Sequence, residues 1–222
     1  MRNARDLGGI VVAGGGRIRE RALIRTDNHD RLDAVGLDAI RAYGVSRVVD
    51  LRWQWEASKY PSPLASDDRY RLVPACDPAG GEDDPSNSYR LMLDTSGKNM
   101  VAALTAIAEA PPGGVVVHCH AGRDRTGVVV ALALHLAGAS MVSIAADYEL
   151  TEDCSAVTIV NTLAYLTAAY GSVADYLLGS GMTPAQISAL RSRLVQTSGS
   201  SCPQQRDGVG VGHEEGAEGD WR

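Results

Sequence analysis

The run Val115-Val116-Val117-His118-Cys119-His120-Ala121-Gly122-Arg123-Asp124-Arg125-Thr126-Gly127 decides the reading of this chain. Three successive β-branched residues favour a buried strand. Cys119 ends that strand, and the turn from Gly122 to Gly127 leads into TGVVVALALHLAGA, apolar enough for a helix packed on both sides. A cysteine and an arginine separated by five residues thus sit between a strand and a helix. A loop that curls back over this distance turns its backbone N–H groups inward, and the following helix adds the positive end of its dipole. The product is a cradle for a tetrahedral dianion, built from His120, Ala121, Gly122, Arg123, Thr126 and Gly127. The same field favours thiolate, the nucleophilic form, at Cys119. Arg125 offers a planar fork that matches two phosphate oxygens better than a lysine point charge does. Thr126 is placed to donate a hydroxyl hydrogen bond to Cys119 as the thiolate leaves. Gly122 and Gly127 allow the tight curvature.

These residues resemble the signature of the protein tyrosine phosphatase superfamily, in the form carried by a bacterial branch with tyrosine and lipid phosphatase activities. Two further motifs are similar to that branch: Asn3-Ala4-Arg5-Asp6-Leu7-Gly8-Gly9 near the start, and Asp50-Leu51-Arg52 after the second strand. The branch commonly has lysine where this chain has Arg123, which keeps the charge and changes the geometry. The resemblance implies an α/β fold with a central, mostly parallel sheet flanked by helices and the phosphate loop at a strand–helix junction. It implies hydrolysis of phosphomonoesters, with protein phosphotyrosine the first choice, through a phosphocysteine on Cys119, with no metal and no organic cofactor. Dual-specificity or phosphoinositide hydrolysis uses the same residues and is the alternative; a non-catalytic phosphate-recognition module is the second. Two carboxyl groups compete as proton donor. Asp124 matches the branch's Asp before the signature arginine, whereas Asp77 resembles the acid that dual-specificity phosphatases carry on a separate mobile loop; Asp124 is preferred.

Other side chains carry two readings each. His118 either favours thiolate at Cys119 by hydrogen bonding or orders the loop backbone. Arg52 either contacts substrate or the loop, or forms an ion pair with Glu56 four residues on. Asp6 is expected to fix the N-terminal turn by accepting from backbone amides. Trp53, Trp55 and Tyr60 either line a cleft or pack beneath a loop. His118, Cys119 and His120 do not suggest a metal site, because alternating side chains of an extended segment point to opposite faces.

The remaining pattern frames one catalytic unit. Arg21–Asp27 and Ser46–Leu51 read as strands around an amphipathic helix that Gly44 stops; Tyr70–Val73 reads as a further strand, and CDPAGGEDDPSNS, rich in turn formers, as a mobile active-site loop. A helix follows near Lys98–Ala110, and Thr183 with Pro184 and Gln186 marks a capped helix start. The 222 residues, 45% hydrophobic, can bury a sizeable core, and residues 1–196 are assigned to one phosphatase domain. From Thr197 the chain is Gly-rich and acidic, and 197–222 is expected to be disordered. A net charge of −6 lacks the basic footprint of nonspecific nucleic-acid binding, so phosphorylated protein or phosphoinositide is the expected partner. Cys76, Cys119, Cys154 and Cys202 show neither close pairing nor CxxC spacing, which fits reduced thiols in a cytoplasm. The charged N-terminus and the short apolar run Val128–Ala139 indicate no stable membrane insertion, while export without a cleavable signal stays open. Oligomeric state is not encoded legibly.

Overall fold

Described over residues 3–76 and 87–197, the chain in this computed structural model builds a helix-flanked sheet. Its first half contributes β1 (Arg5–Asp6), β2 (Arg17–Ile18), β3 (Leu23–Thr26), α1 (Ala34–Ala42), β4 (Val45–Asp50), α2 (Gln54–Lys59) and β5 (Tyr70–Leu72). The second half adds α3 (Arg90–Thr95), α4 (Gly97–Ala108), β6 (Gly114–His118), α5 (Asp124–Leu136), α6 (Met141–Glu149), α7 (Ala156–Tyr170), α8 (Val173–Gly179), α9 (Pro184–Leu194) and β7 (Val195–Gln196).

The valine run lies where its composition requires. Strand β6 is buried along its whole length and occupies the centre of a five-stranded sheet ordered β1-β3-β6-β4-β5. It runs parallel to β3 and β4, β4 is parallel to β5, and only β1 is antiparallel. The sheet is therefore mixed and mostly parallel, as expected. Register fixes the position of the site. His118 pairs with Thr26 on one side and with Asp50 on the other, so β3, β6 and β4 end level and their following loops share one edge. In open α/β sheets that carboxyl edge is where ligands bind.

Helix α5 runs through the protein with Val128 through Leu134 all buried, which explains why its sequence shows no polar stripe. Truncating a leucine as enclosed as Leu132 costs about 2–5 kcal/mol, so this helix is a rigid mount for the loop before it. On the other face of the sheet, α1 covers a smaller cluster of Ile24, Ile40, Val45, Val48, Leu64 and Val116. Thr183 and Gln186 form the expected reciprocal cap of α9, with Pro184 in its first turn. The pairing of β2 with β7 was not foreseen, because two-residue strands carry no period to read.

Among the described residues no single helix is long and apolar enough to cross a membrane. Asp77 and residues 198–222, including Cys202 and nearly all of the expected tail, lie outside the described residues.

Candidate active site

The loop from Cys119 to Arg123 is held from outside by its carbonyl groups. His118 Nδ1 lies 3.1 Å from the Cys119 carbonyl, which accepts only, so that nitrogen carries the proton. The His120 carbonyl accepts from the Asn28 N–H at 3.0 Å. The Gly122 carbonyl accepts from Asn3 Nδ2 at 3.1 Å and Arg25 Nη2 at 2.8 Å. Among the described residues all peptide bonds are trans, so each N–H points opposite the carbonyl before it. Tying these three carbonyls outward therefore turns the amides of His120, Ala121 and Arg123 to the inner side of the loop. The loop is concave toward its own N–H groups, and α5 starts immediately after it.

Two glycines make this curvature sterically feasible. Gly122 has φ of +68°, and a Cβ there would stand 2.4 Å from the Thr26 carbonyl oxygen. At Gly127 a Cβ would stand 2.5 Å from the Tyr148 ring. Asn3 and Arg25 belong to a larger brace: Asp147 accepts from Arg25 Nη1 at 2.6 Å and Arg5 Nε at 2.8 Å, and Arg5 Nη1 also reaches Asn3 Oδ1. The N-terminal motif is thus a support for the loop. Asp6 does what was expected of it, accepting from the N–H groups of Gly8 and Arg21 and from the Tyr43 hydroxyl.

Cys119 is buried at the base of the loop, and Thr126 Oγ1 is buried with no hydrogen-bond partner among the described residues. Arg125 is gripped side-on. Its Nη1 lies 2.5 Å from Glu56 Oε2, its Nη2 3.0 Å from Oε1, and its guanidinium carbon 4.5 Å above the Trp53 ring. Glu56 Oε2 also accepts from the Trp53 N–H at 2.9 Å, so one carboxylate caps α2 and orients the arginine. Burial alone raises the Glu56 carboxyl; the bonds from Arg125 and the Trp53 N–H outweigh it and hold the group below its ordinary range. Trp53 is therefore a platform, Trp55 is exposed beside it, and the Tyr60 ring stands 5.4 Å from His120 at the lip.

Arg52 requires a correction. It neither pairs with Glu56 nor presents a donor to solvent: it is wholly buried, with Nε at 2.9 and 3.0 Å from the Asp50 oxygens, Nη2 at 2.5 Å from Asp50 and Nη1 at 2.8 Å from the Tyr60 carbonyl. Residues two apart on an extended chain face the same way, which brings Arg52 to Asp50, whereas Arg52 precedes α2 and shares no helix face with Glu56. Asp50 also accepts from the Tyr70 hydroxyl at 2.6 Å. His118 extends this buried group: its Nε2 is 3.6 Å from Asp50 and its ring stacks on His29 at 3.9 Å. Burial pushes both imidazoles below their ordinary range, in His29 well below. Of the two readings of His118, the contact to the Cys119 carbonyl supports backbone ordering.

Asp124 opens α5. Its Oδ1 accepts from the Tyr89 hydroxyl at 2.5 Å, and its Oδ2 meets Arg123 Nε at 3.2 Å. His120 and Ala121 are exposed at the lip, with Arg123 half-exposed. Among the described residues no three His, Cys, Asp or Glu side chains come together as a metal site. Glu56, Arg25, His29, Tyr89 and Tyr148 were not identified from sequence as parts of the site. Arg25 alone left a trace, as a charge inside the LIRT strand, which is buried along its whole length.

A model of the tyrosine phosphatase family matches residues 1–161. The chain is 33% identical over 162 residues to a putative tyrosine-protein phosphatase of Cupriavidus necator, covering 66% of this chain and 59% of the relative. It is 31% identical over 146 residues to a tyrosine-protein phosphatase of Nostoc commune, covering 59% and 48%. A triple specificity protein phosphatase of Mycobacterium tuberculosis, PtpB, is 27% identical over 190 residues, with 68% and 67% covered. The chain thus spans between about half and two thirds of these curated relatives.

Proposed function

From the premise that this chain belongs to the tyrosine phosphatase family, we propose that it hydrolyses phosphomonoesters, foremost protein phosphotyrosine, through a phosphocysteine on Cys119. The observation that carries this reading is the loop itself: a buried cysteine at its base, inward amides at His120, Ala121 and Arg123, and Arg125 fixed by Glu56. Such a loop at a helix start binds a tetrahedral dianion. Sulfur attacks phosphorus as the bond to the leaving oxygen breaks. The transferring group spreads charge over its equatorial oxygens, which the loop amides and the Arg125 fork receive. Asp124 gives its proton to the leaving oxygen, then takes one from water as that water attacks phosphocysteine. Thr126, buried and lacking another partner among the described residues, supplies a hydrogen bond to the departing thiolate.

A second reading, broader specificity that includes phosphoserine, phosphothreonine or phosphoinositides, draws support from the triple-specificity relative and from the exposed lip residues His120 and Ala121. The loop reads phosphate while its surroundings read the leaving group. Relative kcat/KM for phosphotyrosine peptide, phosphoserine peptide and phosphoinositide separates the readings.

Hydrolysis of p-nitrophenyl phosphate in the presence of chelator tests the mechanism. Cys119→Ser is expected to lose at least about a thousandfold in kcat while still binding inorganic phosphate. Equal rates for Cys119→Ser and the native chain would dispose of the covalent route.

A further inference from the structure

Asp124 does not stand alone. Its Oδ1 accepts from Tyr89, and the Tyr89 hydroxyl lies 2.7 Å from that of Tyr148. A carboxylate accepts only, and a phenol has one hydrogen to give. Tyr89 spends its hydrogen on Asp124, so Tyr148 must donate to the Tyr89 oxygen. Every hydrogen in the chain points toward the carboxylate. Burial, first among the causes, pushes Tyr89 and Tyr148 above their ordinary range, which keeps both protonated as donors.

The chain is mounted on rigid structure. The Tyr89 N–H is held by Thr162 Oγ1 at 2.9 Å, and the fully buried Thr162 hydroxyl donates to the Thr158 carbonyl within α7. Tyr148, on α6, presses its ring against Gly127 in the first turns of α5. Residues 87–89, α6, α7 and the start of α5 thus converge on one carboxylate oxygen.

We infer that Tyr89, backed by Tyr148, is a positioning residue for proton transfer: the hydroxyl chain reserves Asp124 Oδ1 as an acceptor at 2.5 Å and leaves Oδ2, held by the longer 3.2 Å contact to half-exposed Arg123, as the oxygen that carries and exchanges the proton. This rests on the reading of Asp124 as the general acid. As the thiolate takes the phosphoryl group, the Oδ2 proton moves to the leaving oxygen and the carboxylate remains; in hydrolysis water gives its proton back to Oδ2, its oxygen joins phosphorus and the thiolate is released. Tyr89 keeps its hydrogen on Oδ1 through both steps, so the acid returns to the same rotamer and the same protonated oxygen each cycle. With either oxygen equally available, a share of Asp124 would hold its proton on the side away from substrate.

The leaving group provides the test, because a phenolate of low basicity departs without protonation and a basic one does not. The readout is the ratio of kcat for phenyl phosphate to kcat for p-nitrophenyl phosphate. Asp124→Asn is expected to lower this ratio by about a hundredfold. Tyr89→Phe is expected to lower it by about tenfold, the loss of one hydrogen bond to a charged group, and Tyr148→Phe by less. In the Asp124→Asn background, Tyr89→Phe should have no further effect on the ratio. If Asp124→Asn lowers the ratio and both tyrosine variants leave it unchanged, the positioning role is overturned and the acid assignment stands. If Asp124→Asn itself leaves the ratio unchanged, the acid assignment falls and the inference with it. Should Tyr89→Phe fail to fold, Tyr148→Phe carries the same test, since its ring and its contact with Gly127 are preserved.

Discussion

Two arginine–carboxylate pairs arise from neighbouring stretches of this protein and do opposite things. Arg52 and Asp50 lie at the end of β4 with both side chains wholly enclosed, and the guanidinium is spent on Asp50 and the Tyr60 carbonyl. Arg125 and Glu56 make an equally close pair, but Arg125 belongs to the loop-to-helix junction and rests one face on Trp53. In the first pair the arginine neutralises a carboxylate that closes off the strand end. In the second the carboxylate aims an arginine. Geometry at one pair gives little clue to its role; its location relative to the inward amides does.

The contrast can be broken most directly at Arg125. Arg125→Ala is expected to lower kcat/KM for p-nitrophenyl phosphate on the order of a thousandfold or more and to weaken phosphate binding, since the fork receives charge that grows in the transition state. Phosphate affinity equal to that of the native chain, measured by calorimetry, would remove the functional half of the comparison. Arg52→Ala should do the reverse. It strands Asp50 in the interior, with an expected loss of about 3–5 kcal/mol of stability in urea denaturation. Activity per folded molecule should fall far less than in Arg125→Ala, and a larger fall would show that Arg52 acts in catalysis.

The smallest effect sharpens the structural side. His29 and His118 stack in the interior beside Asp50, and burial depresses both below their ordinary range. The unfolded chain, with imidazoles near an ordinary value of about 6.5, then binds more protons than the folded one as pH falls. Their contribution to stability is complete above that pH and is lost progressively below it, down toward the folded values. Each group adds at most about 1.4 kcal/mol per pH unit to the slope. His29→Leu is expected to flatten the decline between pH 6.5 and 5.5 in chemical denaturation, whereas equal slopes would show that His29 is not held neutral.

The sheet's central strand, the loop and α5 were legible because they are contiguous: a valine run, two glycines and an apolar helix name their own conformations. The group of hydroxyl contacts around Asp124 was not. Tyr89 meets Asp124 across 35 residues and Tyr148 across 59, and neither tyrosine has a local pattern that announces a partner. Arg52 illustrates a different failure. Spacing of four suggested Glu56, but the helix begins only at Gln54, so the rule for helix faces did not apply.

What the sequence determined by itself is the cradle, because the backbone conformation of a strand–loop–helix junction follows from residues adjacent in the chain and from glycines that alone tolerate its turns. What the tertiary structure decided is which carboxylate serves which arginine, and which hydroxyl holds Asp124. Hydrogen bonds act over about 3 Å, and only packing of distant segments brings such groups within that reach.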